Sequence, residues 1–405
     1  MSIALSKYST SIGASRFISY TAFIYQYGLG VFGSVIGYVG SMFILAYYIS
    51  PKLSKISHAK GFLQMGEIIE YKTGSKTLAK TTNIFGSAIN FGWLLVGVSG
   101  GANLITYFGL LSYELSLGVM VIVVLGYLLF IGYKGVVSTD IIQAIIIISL
   151  LSFISFSMFS TTNIETLTQV KFETISFGTV MGFLIFGLFS VFSFIDRYQL
   201  LFSGKNKKNL KKGFLSVIPL IVLSVFLLLI MGYLVRNQFP NIDPAIVFVK
   251  AIQTYLPLTL IPLAIVMFFA AVMSSIDSYI FSISSHLNIF NIKDKIKNIK
   301  INSILISLFA VIICYFERDI INITTFAAGF SLVLSIPMMY ILWGKNFSQT
   351  KKIPSRFFFS LLGSLFGFSL GIAIFGMIPS VAIFPLIFGV LGLFIHNNKL
   401  DKLLI

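Results

Sequence analysis

Apolar residues run through this chain in long stretches separated by short polar breaks, at residues 5–28, 30–50, 77–108, 114–132, 136–158, 176–198, 213–235, 258–287, 300–316, 320–343, 357–376 and 378–396. A helix needs about 20 apolar residues to cross a bilayer, so the pattern predicts an all-α protein of about 12 transmembrane helices. The stretch 51–76 differs: its segment GFLQMGEIIEYKTG alternates apolar and polar faces and predicts a helix lying at the membrane surface.

One span breaks the apolar pattern in its middle. Residues 262–287 carry Ser274, Ser275, Asp277, Ser278, Ser282 and Ser285. At about 100° per residue, Ser274, Ser278 and Ser285 fall within about 40° of one another, with Asp277 roughly 60° to one side and Ser275 about 100° to the other. A carboxylate and several hydroxyls in hydrocarbon are expensive unless something polar binds them. One helical face therefore offers hard oxygen donors to a small cation such as Na+. The alternative for the serines is back-bonding to carbonyls one turn earlier, which helps helices pack.

Composition places the chain among polytopic integral membrane proteins: 57% of its 405 residues are hydrophobic, only 10% are charged, and 42 are Phe. The single cysteine, Cys314, excludes a disulfide framework and a thiolate metal site. The net charge of +16 is explained by placement. With the amino terminus inside, the basic residues around 52–80, 204–213, 293–300, 345–356 and 399–402, and Lys134, fall on the inner side; among the loops only Lys171, Arg236, Lys250 and Arg318 fall outside. This bias predicts a cell-membrane protein with both termini cytoplasmic, and makes the run GKNKKNLKKG at 204–213 a solvated loop facing anionic lipid rather than a nucleic-acid site. The three histidines, His58, His286 and His396, read as inner-surface residues without nucleophile–base spacing, so no enzyme is expected. Lys7 precedes the first apolar run, but Arg16 interrupts it and no small-residue cleavage site follows; the segment reads as a working helix rather than a signal peptide.

Between the fourth and fifth spans stands YLLFIGYKGVVSTDIIQ, with Tyr127, Gly132, Lys134, Gly135, Val136, Thr139, Asp140 and Gln143. The glycines permit a tight inner turn, and an acid in the first turn of the next helix favours its positive end. On chemistry alone Asp140 is a helix cap or a cation ligand. This motif resembles that of the sodium:solute symporter family, which includes proline, sugar, pantothenate and sialic acid transporters. Ile131 replaces the first Gly of the family pattern and Gly135 its Ala. AAVMSSIDS at 270–278, DRYQLLFSGKNKKNLKKG at 196–213 and NIDPAIVFVKAIQTYLP at 241–257 extend the resemblance to about residue 345.

The resemblance implies a LeuT-type bundle of five helices and an inverted repeat of five around a midplane site, with the first helix of each repeat broken. The core would be residues 1–345, with repeats at about 1–158 and 176–343, followed by two accessory helices and a short cytoplasmic tail over 346–405. SKYSTSIGASRFISYTAF, polar and Gly-interrupted, would be the first broken helix, where most family members carry a further leading helix. Its partner would be GFLIFGLFSVFSF at 182–194, with Gly182, Gly187, Ser190 and Ser193. A first sodium site would use carbonyls of Ala14, Phe17 and Ala271 and hydroxyls of Ser274 and Ser275. A second would use Ser274, Asp277, Ser278 and Asp140.

Arg16 stands where the proline transporters have an Asp. A guanidinium at this depth keeps its charge and needs an acceptor. It receives a substrate carboxylate, or pairs with Asp277 or Asp140 in place of a sodium ion, or snorkels to the inner surface. Ser15, Ser19, Tyr20, Asn90, Trp93, Phe192 and Ser193 are further candidate solute contacts. The function expected is a secondary transporter coupling a sodium gradient to uptake of a small organic solute, a carboxylate or amino acid, by alternating access. The alternative is a sensor or scaffold that kept the transporter fold.

Overall fold

The first apolar stretch does not form one helix. In the computed structural model, which describes residues 2–161, 176–204, 206–288, 293–343 and 351–405, it is broken into α1 (Ser2–Ser11) and α2 (Ala14–Tyr27). Gly13 lies at the break, and a Cβ there would stand 1.4 Å from the Ser275 hydroxyl oxygen, so no side chain fits. A 3₁₀ turn beginning at Gly28, whose φ of 59° suits glycine, leads into α3 (Phe32–Phe43). A π-helical turn and α4 (Ser50–Lys60) follow. The expected surface helix is α5 (Met65–Thr73), begun by a capping box of Gln64 and Glu67 and ended by Gly74.

Next come α6 (Lys76–Tyr107), capped by Ser75, and α7 (Tyr113–Thr161). The second half opens with α8 (Phe177–Phe189), a 3₁₀ turn at Ser190–Phe192 and α9 (Ile195–Ser203), bent by 45° to α8. Both expected breaks are therefore present. The remaining helices are α10 (Lys207–Gln238), α11 (Val247–Tyr255), α12 (Ile261–His286), α13 (Lys295–Phe316), α14 (Ile320–Phe330), α15 (Ser335–Leu342), α16 (Pro354–Phe375), α17 (Ile383–Leu393) and α18 (Asn398–Leu404).

Two expectations are refined by the structure. Among the described residues nine helices are long and apolar enough to cross a membrane, or up to eleven if each bent pair is one span, where the hydropathy pattern suggested twelve. The apparent deficit lies at the start, where helical turns continue through Gly28–Val31 and join the ends of two expected spans into a run of 45 residues, Arg16–Lys60. That run has length for two crossings. The tight turn expected at Gly132–Gly135 falls within a helical run, Tyr113–Thr161, that holds two stretches long and apolar enough to cross a membrane, Tyr113–Phe130 and Ser138–Ser160. Asp140 consequently sits inside a helix, and the capping role drops out.

The polar helix α12 is central. It packs along α7, α6 and α13 and lies across the break between α1 and α2. On the other side of the bundle α3 and α8 meet backbone to backbone: a Cβ on Gly37 would stand 2.4 Å from the Leu184 carbonyl oxygen, and one on Gly187 2.6 Å from that of Ser34. The segment after α16 reaches the same helix, with the Pro379 carbonyl against Gly182. At the opposite end of α12, His286 is buried, not a surface residue as expected. Its Nε2 accepts the Met65 amide of α5 at 3.2 Å, and Gln64 donates to the Ser285 carbonyl at 2.8 Å. The cysteine, Cys314, is also buried, against the Leu95 carbonyl.

Candidate functional site

The break in the first helix faces the serines of α12. Ser274 Oγ donates to the Ser9 carbonyl at 3.0 Å and to the Ala271 carbonyl at 2.9 Å; Ser275 Oγ donates to Ala271 at 3.3 Å. The back-bonding anticipated for a bland role is thus present. A hydroxyl that donates still keeps lone pairs to offer a cation, so it does not exclude ligation. Phe17 turns its ring into a cluster with Phe248 and Phe268, at centroid distances of 5.3 and 6.1 Å, and its carbonyl accepts from Thr21 Oγ1. Ala14 opens α2 beside Gly13.

One turn further along α12, two carboxylates are buried. Asp277 Oδ2 accepts from the Tyr127 hydroxyl at 2.6 Å, and Asp140 Oδ2 accepts from Ser6 Oγ at 2.7 Å. The second oxygen of each, Oδ1, is buried without a hydrogen-bond partner. Ser278 Oγ lies 3.4 Å from Thr10 Oγ1. A cavity of about 30 Å³ is lined by Asp140, Ser278, Ser6 and Thr10, with Lys7 and Asp196 also in its wall. Two buried, half-satisfied carboxylates among hydroxyls are an unfavourable arrangement unless a cation or a proton compensates them.

A second cavity, of about 90 Å³, lies between the two broken helices. Arg16 borders it, with its guanidinium carbon 4.3 Å from the Tyr38 ring centroid and 5.8 Å from that of Tyr20. Arg16 Nη1 is buried with no acceptor. Arg197 of α9 borders it too, stacked at 4.3 Å on Phe194, with Nε and Nη1 buried and unpartnered. Aromatic rings form the walls: Trp93 stacks on Phe186 at 5.7 Å and donates its indole N–H to Ser331. Ser19 pairs with Thr324 at 3.3 Å, and the Tyr20 hydroxyl accepts from Ser34.

The sequence profile of the sodium:solute symporter family matches residues 1–303. The chain belongs to that family. Symporters of this family couple sodium to the movement of a solute, and this chain is a sodium-coupled secondary transporter, not an enzyme. No curated protein sequence matches it. Among solved structures, a Na+-coupled sialic acid symporter in a substrate-bound outward-open state aligns with a TM-score of 0.76 at 16% identity, over 99% of this chain and 89% of the other. Mhp1, a nucleobase-cation-symport-1 family transporter, gives 0.62 at 10% identity, over 96% and 90%. A variant manganese transporter of Eremococcus coleocola gives 0.59 at 12% identity, over 97% and 94%. At these identities the likeness concerns the fold: a LeuT-type helical transporter in the membrane.

Within this symporter the residues singled out from sequence divide. Arg16, Ser19, Tyr20 and Trp93 border the larger cavity. Asn90, Phe192 and Ser193 do not: Asn90 donates to Ser282 and Asp196, Ser193 pairs with Ser335, and the Phe192 carbonyl accepts the Tyr198 hydroxyl. The Ser15 side chain lies outside the described residues, as do those of Ile131, Gly132 and Lys134 in the motif and the loop residues Lys171, Lys205 and Lys345. Among the described residues Arg16 forms no ion pair with Asp277 or Asp140; those acids accept from Tyr127 and Ser6. Sequence reasoning missed Lys7, Tyr38, Asp196 and Arg197 at this site. The signal available for them was that a Lys, an Asp and an Arg stand inside otherwise apolar spans, the same signal that drew attention to Arg16.

Proposed function

We propose that this symporter takes up a small organic anion, with Arg16 as the anchor for its carboxylate. The observation that carries the reading is Arg16 itself: a permanent cation bordering the central cavity, stacked on Tyr38, with a buried N–H and no protein acceptor. Such a group recognises planar oxyanions in a two-pronged contact. The aromatic walls exclude water and strengthen that contact.

Sodium would bind first at the break, through the Ala14, Phe17 and Ala271 carbonyls and the Ser274 and Ser275 hydroxyls, and second among Asp140, Asp277, Ser274 and Ser278. The unpartnered Oδ1 atoms of both acids support the second site. Residues 1–345 would form the two-repeat core, and 346–405 the accessory helices. Both termini would be cytoplasmic, as the inner excess of Lys and Arg requires. Rocking of the first two helices of each repeat against the others would expose the cavity to each side in turn.

The test is uptake into proteoliposomes under an inward sodium gradient, over a panel of organic acids, amino acids and neutral sugars. Uptake of anions that collapses in Arg16→Ala and needs more sodium in Ser275→Ala supports the reading. Uptake of neutral sugars alone, unchanged in Arg16→Ala, sinks it.

A further inference from the structure

Three cationic side chains and one acid border the central cavity: Lys7, Arg16, Arg197 and Asp196. Lys7 and Asp196 pair with each other at 3.3 Å, and among the described residues no other acid reaches the cavity wall. Two guanidinium charges are left over. They stand on different helices, Arg16 on α2 and Arg197 on α9, which are the two broken helices of the two halves.

Arg197 carries the argument. It is only 5% exposed, yet its Nε and Nη1 donors have no acceptor. A guanidinium buried in this way is unfavourable unless an anion arrives. A single carboxylate has two oxygens, and the fork of one arginine satisfies both. A monoanion held by Arg16 would therefore leave the Arg197 donors empty and one positive charge uncompensated in a low-dielectric cavity.

We propose that the solute is a small dianion, with one of its negative charges taken by Arg16 and the other by Arg197, so that it bridges the two broken helices. This rests on the anion reading above and narrows it. Dicarboxylates and phosphate monoesters share the required chemistry, each offering two negative charges to separate donors. Tyr38, on whose ring Arg16 lies and whose hydroxyl meets Ser11 at 2.7 Å, fixes the direction of one arm; Phe194 fixes that of the other. The Lys7–Asp196 pair contributes no net charge and borders both this cavity and the one at Asp140.

The test uses the full-length protein in proteoliposomes with saturating sodium and matched probe pairs. Malonate, succinate, glutarate and adipate are compared with their half-amides, and glycerol 3-phosphate with its methyl diester, as inhibitors of uptake and as stabilisers of the purified protein against heating. The expected result is at least one pair in which the dianion binds tenfold or more tightly than its monoanion partner, the dicarboxylate and phosphate arms showing which source it is. In Arg197→Gln that ratio should fall to about one, because the dianion loses affinity while its partner keeps it. If every half-amide and diester binds as well as its dianion, the dianion assignment is wrong and monoanion symport stands. If no anion of any pair binds with or without sodium, both readings fall. The comparison within the unmodified protein decides the matter even if Arg197→Gln does not fold.

Discussion

Lys7 Nζ lies 3.3 Å from Asp196 Oδ2, joining the first half-helix of one broken span to the second half-helix of the other, with side chains only 4% and 12% exposed. The pair borders both the cavity at Asp140 and the cavity at Arg16. Removing one partner of such a buried pair strands the other charge, at a cost of about 3–5 kcal/mol, whereas removing both is far milder. Lys7→Met and Asp196→Leu should each lower the melting temperature in detergent more than the double variant does. A double variant as unstable as the two singles added together would show that the two side chains act independently.

Asp277 should report on sodium rather than on solute. Its Oδ1 is unpartnered while Oδ2 is held by Tyr127. Asp277→Asn removes the charge and keeps the shape, so the sodium concentration giving half-maximal uptake should rise by about tenfold or more, equivalent to about 1.4 kcal/mol. The solute KM at saturating sodium should change by no more than about twofold. Asp140→Asn should act in the same direction and lower the cooperativity of the sodium dependence. Equal sodium curves for Asp277→Asn and the unmodified protein would remove the second site.

Gly13 tests the fit of the break against α12. A methyl group there overlaps Ser275 Oγ, and its distance from Ser275 Cβ would be 2.6 Å. Gly13→Ala should abolish uptake and destabilise by about 1–3 kcal/mol, the usual range for overpacking. Ser275→Gly in the same chain removes both clashing atoms and should restore thermal stability without restoring normal sodium affinity. Stability that stays low in the double variant would mean that the Ala271 carbonyl, at 3.2 Å, sets the limit.

At the inner end of α12, His286→Ala leaves the Met65 amide without its acceptor, a loss of about 1–3 kcal/mol for a buried group. Hydrogen exchange should quicken over 64–73 and stay unchanged in α16 and α17. Unchanged protection in α5 would show that Gln64 and its bonds to Ser285 and Asn83 hold that helix alone.

Much of this arrangement is legible in the sequence because membrane burial makes polar residues conspicuous. Ser274 to Ser278, Asp140 and Arg16 stand out against hydrocarbon, and the broken first helix shows in its Gly and Ser content. The helix at 65–73 was equally visible from its periodicity, although six of its nine residues are buried against the rest of the protein. Pairwise geometry is not visible in that way. Asn90 is polar and correctly placed along α6, yet its side chain points to Ser282 and Asp196 because those groups need its donors. Ser193 sits at the second break but is taken up by Ser335 of α15, 142 residues away. Arg197 was legible only as part of the motif at 196–213, at the end of a helix that the basic run 204–213 follows, and its place at the cavity depends on the bend between α8 and α9. Met377, Ile378, Pro379, Val381 and Ala382, apolar and chemically silent, border the central cavity, and Pro379 meets α8 through a contact that no local pattern encodes.

The glycine contact between α3 and α8 has a kinetic meaning as well as a packing one. Where carbonyl oxygens lie against Gly37 and Gly187, no side chains remain that could slide past one another or exchange rotamers. The two helices, one from each half of the chain, are thereby yoked, and a transport cycle must carry them as a single moving part. Spin labels across this seam should hold one distance through the whole cycle, while labels from α3 to α7 should report two.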